Sequence, residues 1–186
     1  MKNKLVGFIA ATFFLIIFII SCSNNENSVN PPNSTTLFSS SFEENGFFSA
    51  EGWVLPFNSD SSTDIPQDGG KYSLLLNSTS PPEEYAEIKI PVMTQFNDYK
   101  LSLYAKSAGV TNGIYGKVIL SLVRSDSVVK SQSVTIDNIS WRIYSIEDTF
   151  TVAENDSLMI QLSAGASQLF PGKTYFDLCK LEAIGN

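Results

Sequence analysis

The chain has no histidine among its 186 residues. That removes triads with a histidine base and metal centres built on imidazole. Cysteine is nearly absent too: there are two, Cys22 and Cys179. Basic residues are few, with 12 Lys and Arg against 19 Asp and Glu, for a net charge of −7. An acidic surface repels phosphate backbones, so no nucleic-acid partner is expected. Phosphate-loop signatures are missing. No internal repeat is present, and after residue 21 no window holds a 3.6-residue apolar period, so no amphipathic helix is expected. A glycosidase needs two carboxylates flanking a cleft. Glu43-Glu44 and Glu83-Glu84 read instead as solvated loop charges. The residues that most enzymes rely on are missing, and no enzyme is expected.

What is present begins with a basic head, Lys2 and Lys4, and an apolar run from Leu5 to Ile20 broken only by Gly7 and Thr12. The pattern is that of an export signal. The alternative is a retained anchor, but 16 residues fall short of the ~20 a spanning helix needs. Ile19-Ile20-Ser21-Cys22 resembles a bacterial lipobox. It implies a signal peptide over 1–21 and a lipid on Cys22. The protein would then be held at the bacterial cell envelope, in the outer membrane. Losing Lys2 and Lys4 with the signal takes the net charge from −7 to −9. Cys179 is left as the single thiol, so no intramolecular disulfide is possible. It sits in an apolar stretch and is expected to be buried. No base is present to activate it.

Residues 22–36 are Ser, Asn, Pro and Thr with almost no bulky apolar side chain, a flexible tether. Residues 37–186 are one domain of ordinary size. Its apolar residues recur with period two. Strands are predicted over 37–43, 53–57, 71–77, 85–91, 99–107, 116–125, 128–136, 143–152, 157–164 and 174–184. The stretch over 128–136 is the most polar, as an edge strand is. Breaks hold Gly, Pro, Asn, Asp and Ser, as at Ser80-Pro81-Pro82, Asn112-Gly113 and Phe170-Pro171-Gly172. About ten short strands predict an all-β, antiparallel two-sheet sandwich. Trp53 and Trp141 belong to its core or the edge of a groove, with the core favoured for large aromatics.

The closing stretch, Lys173 to Glu182, carries an anomaly. Phe176 and Leu178 share one parity, Cys179 and Leu181 the other, and Asp177 is an acid among apolar residues. A β-bulge at Asp177-Leu178 would return all four apolar residues to one face and aim the acid at a neighbour. A charge there is costly without a partner.

Five motifs now stand in order: Ser41-Phe42-Glu43-Glu44 with Gly52-Trp53, Gly70-Lys71-Tyr72-Ser73-Leu74, Tyr99 to Ser107, Trp141 with Tyr144 and Phe150, and Tyr175 to Glu182. Together they resemble the galactose-binding-like jelly rolls found as carbohydrate-binding modules beside xylanases and glucanases. Leu178 departs from the second acid of the closing motif. The resemblance implies a structural Ca²⁺ held by Glu43, Asp68, Asp177 and the Lys71 carbonyl, which would settle the cost of Asp177. The alternative pairs Asp177 with a lysine or a backbone N–H. Sugars need flat faces to stack on and polar groups for their hydroxyls. Tyr104 has the parity opposite to its core-facing neighbours. Tyr85 lies where such modules carry a groove aromatic, and Tyr115 lies in a loop with Asn112. Tyr85 and Tyr104 are expected on adjacent strands of a concave sheet, with Gln161 as polar partner. The functional expectation is a lipid-anchored, non-catalytic protein that binds a polysaccharide or other glycan. The alternative is a structural or protein-binding envelope lipoprotein with no sugar affinity.

Overall fold

The computed structural model describes residues 33–78, 83–108, 115–165 and 171–185. The signal, Cys22 and most of the tether lie outside the described residues, as do the turns at Ser80-Pro81-Pro82 and Asn112-Gly113. Among the described residues there are twelve strands and no helix. They are β1 (Ser34–Ser40), β2 (Glu43–Glu44), β3 (Phe47–Phe48), β4 (Ser59–Ser62), β5 (Ser73–Ser78), β6 (Ala86–Pro91), β7 (Asp98–Ala108), β8 (Gly116–Arg124), β9 (Ser127–Ile136), β10 (Arg142–Thr149), β11 (Ser157–Ser163) and β12 (Gly172–Ile184).

All pairings are antiparallel. One sheet runs β10-β7-β12-β5-β4, with β1 also paired to β12; the second runs β6-β11-β8-β9. β2 and β3 form a small hairpin. The period-two pattern is what builds this sandwich. In β7, Tyr99, Leu101, Leu103 and Ala105 are buried, while Lys100, Ser102, Tyr104 and Lys106 alternate with them on the other face. Leu74 and Leu76 of β5, Ile88 and Ile90 of β6, Val118, Leu120 and Leu122 of β8, and Leu158, Ile160 and Leu162 of β11 join the same core. Buried Tyr99 keeps its hydroxyl satisfied by donating towards the carbonyls of Phe96 and Met93, at 3.1 and 3.2 Å. β9 is the polar edge that its composition predicts, with Ile136 buried and most of the strand exposed.

β12 is the long strand of the six-stranded sheet. One side pairs with β7 along its length. On the other side β5 covers Gly172 to Phe176, and β1 covers Cys179 to Ile184. That leaves a gap at Asp177-Leu178, and the register with β7 slips there by one residue, between Asp177 and Lys180. The predicted bulge is present. It places Phe176, Cys179 and Leu181 in the core. Leu178 does not join them. Its backbone is left-handed, with φ 48°, and this turn restores the parity by rotating Leu178's own side chain away from the core.

Other expectations need correcting. β1 starts at Ser34, so Ser34 to Thr36 belong to the sheet and not to the tether. The first strand stops early because Phe42 takes φ 55° and redirects the chain. The predicted strand over 53–57 reduces to one bridge, Val54 to Glu87, because Trp53 turns into the core against Phe38 and Phe42. The strand that follows, β4, reads Ser-Asp-Ser-Ser and has no apolar residue to announce it.

Candidate glycan trough and carboxylate gap

On the outer face of the four-stranded sheet, alternation should leave side chains exposed. In the middle strands it does not. Ser121, Met159 and Ser163 point away from the core, yet are 2%, 8% and 0% exposed, and Val123 is also buried. Neighbouring side chains therefore cover them, and we read this face as a shallow trough with these residues beneath it.

The register gives the rows across it. Glu87, Gln161, Ile119 and Ser133 form one row, and the bridge to Glu87 adds Val54 at the edge. Lys89, Met159, Ser121 and Ser131 form the next. Tyr85 stands just before β6 with the parity of Glu87, and Tyr115 just before β8 with the parity of Lys117 and Ile119. The Tyr85 hydroxyl donates to Glu83 Oε2 at 2.9 Å, and Lys117 Nζ donates to Glu83 Oε1 at 3.0 Å. Burial and the nearby Glu83 charge push the Tyr85 phenol up, so it stays a neutral donor and the ring is pinned. Gln161 Nε2 donates to Glu87 Oε2 at 3.2 Å. Lys89 reaches Asp126 at 3.3 Å.

The second constellation fills the gap beside β12. Glu43 Oε1 accepts the backbone N–H groups of Lys71 and Tyr72, the latter at 2.7 Å. It thereby holds the start of β5. Glu43 Oε2 lies against Gly70, where any Cβ would collide with it. Asp177 is 0% exposed. Its Oδ1 accepts the Leu178 N–H at 2.7 Å, while Oδ2 is buried with no hydrogen-bond partner. Oδ2 would stand 2.6 Å from a Cβ on Gly69. Burial, with the Glu43 charge adding to it, pushes the Asp177 carboxyl up to about 6. An orphaned carboxylate oxygen beside a second carboxylate is a donor set suited to a hard cation. Asp68 does not complete the expected trio. It is exposed on its turn, and among the described residues no three acidic, histidine or cysteine side chains cluster as metal ligands. A cavity of about 690 Å³ opens beside this gap, lined by Phe38, Ser40, Glu44, Glu51, Leu178 and Lys180 among others. It shares no lining residue with the trough.

No family profile matches the chain, and no curated protein does either. Solved structures do. A xylan-binding domain of Paenibacillus barcinonensis, of the type called CBM22-1, superposes with a TM-score of 0.57 at 14% identity, over 82% of this chain and 97% of that one. A family 16 carbohydrate-binding module superposes at 0.54 and 16% identity, over 70% of this chain and 90% of that one. The fold is that of a carbohydrate-binding-module jelly roll. The same fold also matches part of the enzymatically active domain of a bacteriophage CBA120 tailspike protein, with a TM-score of 0.55 at 12% identity, over 72% of this chain and 19% of that one.

Within this jelly roll, Tyr85, Tyr115 and Gln161 come to one face. Tyr104 does not. It lies on β7 of the other sheet, paired with Ile143 and Asp177, so it is not a neighbour of Tyr85. Glu83 and Glu43 are not merely solvated charges: each holds specific partners. Trp141 is not in the core either. It lies half-buried on the outer face of the six-stranded sheet, edge-on to Tyr175 with centroids 6.3 Å apart. Lys106 sits over both rings, 4.9 Å from Tyr175 and 5.4 Å from Trp141, and pairs with Asp64. Asp64 also accepts the Trp141 indole N–H at 3.1 Å. Burial raises the Asp64 carboxyl, but Lys106 and Trp141 outweigh it and hold it below its usual value. With its cation already supplied, this box latches the β4–β5 loop onto the sheet. Cys179 is buried, and burial pushes its thiol up to about 12, which leaves it inert.

Proposed function

We propose that this jelly roll is a non-catalytic glycan-binding protein whose ligand lies in the trough of the four-stranded sheet. The observation that carries this is that the face bearing Tyr85 and the Glu87–Gln161 pair also carries Ser121, Met159 and Ser163, covered although they point away from the core. A sugar ring stacks on Tyr85 while its hydroxyls bond to Gln161 and Glu87. The solved relatives named as carbohydrate-binding modules support the reading. Tyr85→Ala is expected to abolish binding to polysaccharide in calorimetry of the full chain in detergent, with little change in melting. Tyr104→Ala, on the opposite sheet, is expected to bind as the parent does. If Tyr85→Ala binds undiminished, the trough is not the site.

The lipobox supports a second element, attachment of the chain to the envelope through a lipid on Cys22. Cys22→Ala is expected to lose incorporation of labelled fatty acid; label retained on that variant would rule the anchor out. The orphaned Asp177 oxygen supports a third. Glu43 and Asp177, with backbone carbonyls such as that of Lys71, would hold a Ca²⁺ that ties β12 to the start of β5 and supplies charge neutralisation there.

A further inference from the structure

The charges on the trough face are almost all spoken for. Glu83 is paired with Lys117, and Lys89 with Asp126. Facing residues on β9 are Ser131, Ser133 and Thr135, which carry no charge. Glu87 is the exception. It sits in the middle row, half-buried, and its partner is the Gln161 amide and not a cation. Among the described residues of this face, no cation is free to meet an incoming anion, and one carboxylate is left unneutralised. Among the described residues Gln161 donates to Oε2 and no side chain donates to Oε1, which leaves Oε1 for a donor from a ligand. A sugar hydroxyl or ammonium meets that need with a charge-assisted hydrogen bond. A uronate or sulfate placed there meets like charge, and like-charge juxtaposition across an interface is strongly unfavourable.

The geometry points to Glu87 as the residue that sets ligand class: the trough takes glycans without acidic groups and rejects uronate-bearing or sulfated chains. This rests on the trough being the glycan site. Glu87 selects, while Tyr85 supplies the stacking face.

The test is affinity electrophoresis and calorimetry of the full chain in detergent against a panel. It contains a neutral xylan, a neutral β-glucan, a polygalacturonate and a sulfated galactan. The parent is expected to bind a neutral chain and to bind the acidic chains at least about tenfold more weakly. Glu87→Gln is expected to weaken neutral binding, because the charge-assisted hydrogen bond to the sugar becomes an ordinary one, and to raise polygalacturonate affinity by about tenfold, equivalent to ~1.4 kcal/mol, so that the preference for neutral chains collapses. The unmutated protein, compared with Glu87→Gln, gives a second readout, in which Glu87's share is the part of the salt dependence that the variant loses. Because salt screens repulsion over about 10 Å at 0.1 M, the parent's affinity for polygalacturonate should rise with ionic strength, opposite to the fall that cation-mediated binding shows. If the parent binds polygalacturonate as tightly as neutral glycans, or if acidic binding falls with salt, the inference is overturned while the trough stands. If no polysaccharide in the panel binds, the trough reading fails and the inference with it.

Discussion

Phe176→Ala is expected to destabilise the domain by about 3–5 kcal/mol. Phe176 is fully buried. In β12 it stands between Leu74 of β5 and Ala105 of β7, two strands that cannot close on the space without breaking their own ladders. The cost is therefore the lost transfer energy plus a cavity that remains open. It falls immediately before the bulge, where β12 already lacks a partner on one side. With domain stabilities of about 5–15 kcal/mol, this single truncation approaches global unfolding. Tyr175→Ala, one residue away, removes a ring from the outer face and leaves the core volume intact. The comparison is a pair of urea melts: Phe176→Ala should lose much of the midpoint and Tyr175→Ala little. Equal losses would mean that the Lys106 box, and not the core, carries the strand.

The second large effect concerns Asp177. Its carboxyl, pushed up to about 6 from an ordinary 3.8, favours the protonated form in the folded state. The stability it contributes is fully present below about pH 3.8 and is lost as pH rises through about 6. In a chelator, stability should therefore fall between pH 4 and pH 7. One pKa unit is 1.36 kcal/mol, and solvent near the open gap screens part of it, so the loss is on the order of 1–3 kcal/mol. Asp177→Asn should remove that slope and melt higher than the parent at pH 7. A bound cation reverses the logic, since it favours the carboxylate. Ca²⁺ at about 100 times its dissociation constant should add ~2.7 kcal/mol to the parent at neutral pH and nothing to Asp177→Asn. Melting curves in chelator and in millimolar Ca²⁺ across this pH range check both. Parent curves that coincide in the two buffers at pH 7 would remove Ca²⁺ from the gap.

Period-two alternation made most of the sandwich legible, because each buried strand needs its apolar residues on one side. The same rule could not assign Tyr104. Parity tells which side of a strand a residue takes, and not which sheet the strand joins. β7 pairs with β10 and β12 while Tyr85 precedes β6, a long-range choice invisible in either segment. The slip at Asp177-Leu178 was legible because it broke the alternation, yet Leu178's turn out of the core followed from a left-handed backbone that no residue type there foretells. β4 was missed because an edge strand of serines and an aspartate has the composition of a loop. Glu83, Glu87 and Lys117 gave no signal either. Their meaning comes from register, which puts them in rows across strands far apart in sequence. Glu83 precedes a strand, and only its bonds to Tyr85 and Lys117 lift it above a loop charge.

The pairing of β1 with β12 has a mechanical consequence. Gly185 N donates to Asn33 O at 2.9 Å, so the chain enters and leaves the domain at one end, while Tyr85 and Tyr115 stand by the opposite end, where β12 begins. At ~3.3 Å per residue, the length of β12 sets them roughly 40 Å apart. A pull applied only between the two ends of the domain would open the β1–β12 ladder one hydrogen bond after another, like a zip. A pull between Asn33 and a ligand seated near Tyr85 runs along β1 instead and loads its bonds to β12 together. Single-molecule extension with the handle at residue 33 and the second attachment moved from residue 185 to the trough should raise the rupture force, and the strand order that closes the sheet would then serve as the part that bears load.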